Sequence, residues 1–375
     1  MKFLIDNCVP LNNGDAALVF GVGESLSKYG EVAYHTYYFK QVKKLYPDKK
    51  WHRHLLDYPI MKLLKRIPLL SRSLILFLIV IRKSVYKSVD TVISAPGGYI
   101  NSYYAIGDKM FILYICKRWL KKRVGIYSQS IGPLTVKDQR LLIKYGQRLD
   151  FIYVRDQLSY DRLMSMHPFD NVVLTKDAAF LLTPNLLKKT SKKQVVVSVR
   201  SWHFDQRKEE TYFNNLQLIV NQLLARGYQV CFLSTCQGMK EYVDDSEVAQ
   251  KFIETYYQGN LNISVDANFY SLDSLRNRLT EFDFAIATRL HMCILALLSG
   301  VPAFNISYEE KGKACYDYLG LEEFSIDYNE EKDFSHNLTQ FLTLTETKKN
   351  QIFAKVARIH EDQEEFLGKV GQEGE

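Results

Sequence analysis

Cysteine is scarce in this chain and follows no pattern. The six residues Cys8, Cys116, Cys231, Cys236, Cys293 and Cys315 form no CxxC pair and have no His-rich partner spacing. This disfavours a disulfide framework and structural zinc, and leaves reduced thiols as the expectation. Also missing is the apolar core of a secretion signal. Met1 to Asp6 runs straight into a strand-like pattern, so a cytoplasmic protein is expected. The most apolar run, Leu74 to Ile81, is eight residues long, against the roughly 20 that span a bilayer. There is no GxxxxGK[ST] phosphate loop, no HExxH and no GxSxG elbow, which removes the commonest nucleotide, metalloprotease and hydrolase signatures. Gly21-Val22-Gly23-Glu24-Ser25 starts like a dinucleotide fingerprint, but Leu26 stands where the third glycine belongs, inside a helical stretch. Neither Asp244-Asp245 nor the 25 tyrosines define a metal site, so no metal ligand and no cofactor are expected. No internal repeat and no low-complexity tract is visible.

What the chain does have is length, apolar residues and unevenly placed charge. Its 375 residues, 47% hydrophobic and 24% charged, suit two globular domains and exclude dominant disorder. The formal charge of +7 is concentrated in residues 40–90, where thirteen Lys/Arg face only Asp48, Asp57 and Asp90. That segment carries a local +10, so the remainder sums to −3. An anionic partner is expected there first.

Short β-branched runs alternate with helical stretches, the pattern of parallel sheets covered by helices. Strands are predicted at 2–8, 31–37, 90–94, 123–129, 151–154 and 172–175, then at 194–200, 229–234, 284–288 and 302–306. The polar, basic stretch Thr183 to Lys193, with Pro184 near its start, separates the two series. The fold expected is α/β, with two Rossmann-like parallel-sheet domains facing a cleft. Residues 1–185 form the first, with a basic insertion at 40–90, and residues 194–345 the second. Residues 346–375 form a C-terminal helix and acidic tail whose Glu361, Asp362, Glu364 and Glu365 make a solvated face. Parallel sheets bind ligands outside the carboxyl ends of their strands, so site residues are sought just after strands.

Five such places stand out. Arg289 and His291 lie where the apolar strand ending at Thr288 meets an apolar helix that stops at Gly300. A guanidinium, an imidazole and a helix N-terminus together suit a carboxylate or phosphate; the bland alternative is a salt bridge and a cap. Arg200 ends another strand of the same sheet and is followed by Ser201-Trp202-His203. Two arginines there match a ligand with two anionic groups. Asn12-Asn13-Gly14-Asp15 opens the first helix, where Asp15 is explained by capping alone but also sits in the first strand-to-helix loop. Pro96-Gly97-Gly98-Tyr99 and Ser128-Gln129-Ser130-Ile131-Gly132-Pro133 each follow a strand, and either is a turn as readily as a site.

Taken together, Asn13-Gly14-Asp15, Pro96-Gly97-Gly98, Gln129-Ser130-Ile131-Gly132-Pro133, Arg155-Asp156 with Ser159, Asp177-Ala178-Ala179-Phe180, Val199-Arg200 and Thr288-Arg289-Leu290-His291 resemble the polysaccharide pyruvyl transferase family over roughly residues 3–325. The resemblance implies a GT-B-like fold. It also implies transfer of the enolpyruvyl unit of phosphoenolpyruvate onto two hydroxyls of one sugar, as a cyclic ketal, in bacterial surface polysaccharide synthesis. Under it, Arg289, Leu290 and His291 fall on the phosphoenolpyruvate-binding triplet, with Leu290 contributing backbone. Arg200 holds the donor's carboxylate or phosphate, and His291 is a general acid. Lys311 would be a phosphate contact, although Glu309-Glu310 precede it where a more neutral turn is the family's pattern. Asp15 would orient or deprotonate the acceptor hydroxyl, with Asn13, Gly98, Tyr99, Gln129 and Ser130 on the sugar side.

The partners expected are thus phosphoenolpyruvate as co-substrate and a glycan acceptor of galactose or N-acetylmannosamine type, a polyprenyl-diphosphate-linked sugar among the candidates. A nucleotide-sugar glycosyltransferase of the same architecture is the alternative. A non-catalytic nucleic-acid module built on residues 40–90 is a remote one, since no recognised motif accompanies the charge. The basic residues around Leu69–Ile81 fit peripheral contact with an anionic membrane at its cytoplasmic face, and equally a solvated basic face.

Overall fold

A computed structural model describes the chain except residues 65–66, 83, 187–191, 201–207, 239–242, 331–333 and 373–375. Part of the basic insertion, most of the interdomain linker and the Ser201-Trp202-His203 segment therefore lie outside the described residues. The chain divides into two compact units. The first holds Met1–Leu11, Leu18–Leu182 and Asp362–Glu375, and the second Asn12–Ala17 and Thr183–Glu361.

The first unit contains β1 (Lys2–Cys8), β2 (Glu31–Thr36), β3 (Trp51–Arg53), β4 (Thr91–Ser94), β5 (Gly97–Ile100), β6 (Arg123–Ile131), β7 (Phe151–Val154) and β8 (Val172–Leu174). These form one sheet in the order β3-β2-β1-β4-β6-β7-β8, with β5 paired to β6. Every pairing is parallel, and strands buried on both faces read as continuous Val/Ile/Leu runs. Pairing of Gly125 with Phe151 shows how closely the sheet is covered: a Cβ at Gly125 would meet the Phe151 ring at 2.4 Å.

The second unit contains β9 (Gln194–Ser198), β10 (Gln229–Phe232), β11 (Ile263–Val265), β12 (Phe284–Ala287), β13 (Ala303–Ser307) and β14 (Ser325–Asp327). Its parallel order is β11-β10-β9-β12-β13-β14. The chain leaves β9 toward one edge and later returns to β12 and builds toward the other. The switch point of the sheet therefore falls between β9 and β12, where parallel α/β sheets open a crevice at their carboxyl ends. Behind it, the helix Leu290–Leu298 is apolar all round and buried at every position except His291.

Ten predicted strands are present within a residue or two of their expected ends. Four others escaped: β3, β11 and β14 have three residues each, too few to show alternation, and β5 begins with two glycines, which disfavour strands. The insertion at 40–90 is corrected accordingly, because it contains an edge strand as well as helices Phe39–Leu45, Pro59–Leu64 and Pro68–Leu76. The last helix, Glu346–Gln372, contributes to both units instead of standing apart. In the first unit its Gln363 is buried and accepts hydrogen bonds from Tyr127 (3.3 Å) and Thr175 (3.1 Å). Of its acidic residues, Glu361, Asp362 and Glu365 are exposed, and Glu364 pairs with Lys28 at 2.7 Å.

A polar cluster is sealed inside the first unit at the ends of β1 to β3. The fully buried Asp6 carboxylate lies 3.0 Å from His35 Nδ1 and 3.3 Å from His54 Nε2, and Tyr86 donates its hydroxyl to it. His54 Nδ1 accepts from the Leu56 amide, which leaves the proton on Nε2, facing Asp6. Burial opposes the Asp6 charge, yet the imidazoles outweigh it and hold the carboxyl well below its usual range. Burial likewise pushes His54 down despite Asp6, keeping it neutral.

Candidate active site

Within the second unit the segments after β9, β12 and β13 carry the charged residues singled out above. Ala287 of β12 pairs in register with Ser198 of β9. Arg289 and Arg200 therefore each stand two residues beyond a matched pair on adjacent strands, which run about 4.8 Å apart. The backbone of Arg200 is tied across that gap. Its amide donates to Tyr212 Oη (3.3 Å), whose hydroxyl is 2.7 Å from Thr288 Oγ1, next to Arg289.

Arg289 is the residue immediately before the helix Leu290–Leu298 and is held by Asp245. Nε and Nη2 each donate to one carboxylate oxygen at 2.7 Å, the bidentate geometry that suits guanidinium best. Asp245 is buried and also accepts from Ser234 Oγ at 2.6 Å, and Ser234 is 3.2 Å from Ser198 Oγ. Burial alone would disfavour the Arg289 charge, but Asp245 more than offsets it and the pKa is raised. The Nη1 edge of the fork is not used by Asp245. Arg200 stacks over Tyr308, with its guanidinium carbon 4.4 Å from the ring centroid, and donates to the Tyr308 hydroxyl.

Cys236 reports that these groups converge. Its thiol is buried and pushed up to about 12, first by burial; Arg289 draws it down, Asp245 and Asp15 push it further up, and Arg200 draws it down. Two arginines and two aspartates thus act electrostatically on one sulfur. Among them is Asp15, and here the expectation is corrected: the first turn of the helix Asn13–Ser27 groups with the second unit. Asn13 donates its amide to Thr235 O (2.9 Å) and its side chain to Tyr270 O (3.1 Å). Asp15 forms a reciprocal cap with Asn12, through Asp15 N to Asn12 Oδ1 and Asn12 Nδ2 to Asp15 Oδ2, both 2.8 Å. Between them, Gly14 packs on His291: a Cβ at Gly14 would lie 2.7 Å from His291 Nδ1. The glycine is required by that close approach, not by its backbone angles.

His291 is half-buried in the first turn of its helix, and the Leu290 side chain is buried, which leaves Leu290 only its backbone to offer. Lys311 is ion-paired with Glu309, so one of the two acidic residues noted in the sequence neutralises part of its charge. Asp245, Ser234 and Tyr308 are the residues that sequence reasoning missed.

The remaining sequence-derived positions lie in the first unit. Tyr99 and Ser94 share a 2.5 Å hydrogen bond. Gln129 is fully buried and donates to Ala95 O at 2.5 Å, so its side chain serves to tie β6 to the loop after β4. Ser130 donates to Asp156 (2.6 Å) and accepts from Arg155 Nε (2.9 Å), while Arg155 Nη1 is bonded to Asp177 at 2.7 Å. Asp156 in turn caps the helix Gln157–Met166 through the Ser159 amide, and Ser159 Oγ accepts from Ile131 N. The motif residues of this unit are thus one buried network beneath Gly98 and Ser130. Among the described residues, no cluster of three or more His, Cys, Asp or Glu side chains is arranged to hold a metal ion.

Two parallel-sheet α/β units, each with its loops gathered at the strand carboxyl ends, define a protein of the GT-B type. Solved structures of similar fold include a putative UDP-N-acetylglucosamine 2-epimerase from Listeria monocytogenes, at TM-score 0.62 and 10% identity over 99% of this chain and 97% of that one. Trehalose-6-phosphate synthase OtsA matches at TM-score 0.61 and 11% identity over 99% of both chains. MurG of Acinetobacter baumannii matches at 0.52 and 13% over 98% and 100%. The family profile for polysaccharide pyruvyl transferase matches residues 12–310. The chain belongs to that family. A curated relative, the amylovoran biosynthesis protein AmsJ of Erwinia amylovora, is 26% identical over 259 residues, 64% of this chain and 62% of that protein.

Proposed function

We propose that the protein transfers pyruvate from phosphoenolpyruvate onto two hydroxyls of a sugar, as a cyclic ketal, in the synthesis of a bacterial surface polysaccharide. Family membership supports the reaction class. The observation that carries the donor is the matched placement of Arg200 and Arg289 beside the N-terminus of Leu290–Leu298. Phosphoenolpyruvate bears a carboxylate and a phosphate on one carbon, and two guanidinium groups at a helix N-terminus offset both. Asp245 neutralises the buried side of Arg289 and aims the remaining edge of its fork.

The chemistry requires a proton on the methylene carbon, attack of one sugar hydroxyl on the neighbouring carbon, departure of phosphate, and attack of the second hydroxyl. One proton ends in the new methyl group and one on phosphate. His291, within the same turn as the arginine, is the group that gives a proton to the donor. Asp15, in the same unit, orients or deprotonates the acceptor hydroxyl. Lys311 assists the phosphate once released from Glu309. Gly98, Tyr99 and Ser130 are the acceptor-side positions, and the sugar is of galactose or N-acetylmannosamine type.

The test is incubation with phosphoenolpyruvate and a panel of free and lipid-linked glycosides, following phosphate release and a product heavier by one pyruvate less one water. Glycoside-dependent phosphate release with that product supports the reading. Transfer from a nucleotide sugar, with no response to phosphoenolpyruvate, replaces it with glycosyl transfer.

A further inference from the structure

The helical run Pro68–Leu76 continues into a wider, π-type turn at Phe77–Ile81. Ser71, Ile75 and Ile79 form one stripe, fully buried and packed into the first unit's core. The opposite stripe, four residues apart at each step, is Leu69, Ser73, Phe77 and Ile81, and all four are exposed. On a surface helix that outer stripe is where charged residues normally stand. Here Leu69 is 80% exposed and Ile81 68%, and in the preceding helix Pro59–Leu64 the side chain of Leu63 is 72% exposed.

The sequence flanking this apolar surface is basic. Lys62, Lys65, Arg66, Arg72, Arg82 and Lys83 occur within 62–83, and the same interval contains no acidic residue. Large apolar side chains presented to water in a field of positive charge match one chemistry: a layer with an anionic surface and a hydrocarbon interior. A second copy of this face would be matched by its apolar area but repelled by uniform charge of one sign. Nucleic acid would be matched by the charge but not by Leu69 and Ile81. Among the described residues no helix is long and apolar enough to cross a membrane, so the face would lie on the bilayer and not span it.

We infer that the exposed apolar stripe Leu69, Phe77 and Ile81, together with the basic residues that flank it in the sequence, is a docking surface for an anionic membrane. The apolar stripe inserts among acyl chains while the flanking lysines and arginines meet lipid phosphates. This inference does not depend on pyruvyl transfer, and its test reads binding alone.

The experiment is flotation of the full chain with phosphatidylcholine vesicles with and without phosphatidylglycerol, at low and high salt. Wild-type protein floats with the phosphatidylglycerol vesicles and is released by salt. The triple variant Leu69→Ser, Phe77→Ser, Ile81→Ser binds at least about tenfold more weakly, because each loses buried apolar area at the interface. Its melting temperature is unchanged, since all three side chains face out of the core. Failure of wild type to float overturns the inference, as does equal binding to pure phosphatidylcholine. If the triple variant retains vesicle binding but converts a dimer to a monomer in sedimentation velocity, the face belongs to a second copy of the chain and the inference is likewise overturned.

Discussion

Arg200 and Arg289 occupy equivalent positions on neighbouring strands, each two residues past the register pair Ser198 and Ala287. That relationship places two guanidinium groups at the switch point of the second sheet, and it makes their contributions separable. Arg289 is clamped by a carboxylate, whereas Arg200 rests on the face of Tyr308. Substituting Arg200→Lys removes the planar stack and the fork. The expected outcome is a rise of about tenfold or more in KM for phosphoenolpyruvate, and Tyr308→Phe, which keeps the ring but loses the hydroxyl, gives a smaller rise. Steady-state phosphate release checks both.

Asp245 acts through Arg289. Asp245→Asn keeps the shape but removes the charge that holds the guanidinium, so KM for phosphoenolpyruvate is expected to rise about tenfold with kcat changed far less. Asp245→Ala, which leaves a half-buried arginine without its carboxylate, lowers the melting temperature as well. Equal loss in kcat and kcat/KM for the Asn variant would instead place Asp245 in the chemical step.

Removal of the imidazole by His291→Ala is expected to lower kcat by about 100-fold or more, the usual weight of a general acid. Turnover within a few-fold of wild type would exclude that role. Gly14 offers an independent approach, because a methyl group there collides with His291 Nδ1. Gly14→Ala should depress kcat, and the double variant with His291→Ala should be no worse than His291→Ala alone, a non-additivity that a double-mutant cycle measures.

Acid sensitivity should come from the first unit. His54 has its pKa lowered in the folded protein, so the unfolded chain takes up the proton first and stability falls as pH drops through about 6.5 toward the folded value. Asp6 is depressed as well, so its contribution is present above the unfolded carboxylate value of about 4 and is lost only below it. Melting temperature is therefore expected to fall in two stages on acidification from pH ~7. His54→Gln should lower stability at neutral pH and flatten the slope between pH ~7 and ~5, which thermal scans in a pH series would resolve.

Legibility from sequence followed locality. Arg289, Leu290 and His291 were readable because strand end, anion-binding residues and helix start are consecutive. The pairing of Arg289 with Asp245 was not, since the partners are 44 residues apart and Asp244-Asp245 looks like an ordinary helix start. Asn13 and Asp15 were recognised as site candidates, but the unit they serve depends on bonds to Thr235 and Tyr270 made only in the fold. Arg155, Asp156 and Asp177 carry part of the family resemblance, and in the structure they act together: one network of buried bonds supports Ser130.

Sequence alone therefore determined the alternation of strands and helices, the two-unit α/β class and the local anion-binding motif, because periodicity, caps and turns are properties of adjacent residues. Tertiary structure decided the register that aligns Arg200 with Arg289, the carboxylate that clamps one of them, and which apolar stripe of residues 69–81 faces water. The last could not have been read in advance: both stripes are apolar but for one serine each, and only packing in the fold determines which is buried and which remains for a partner.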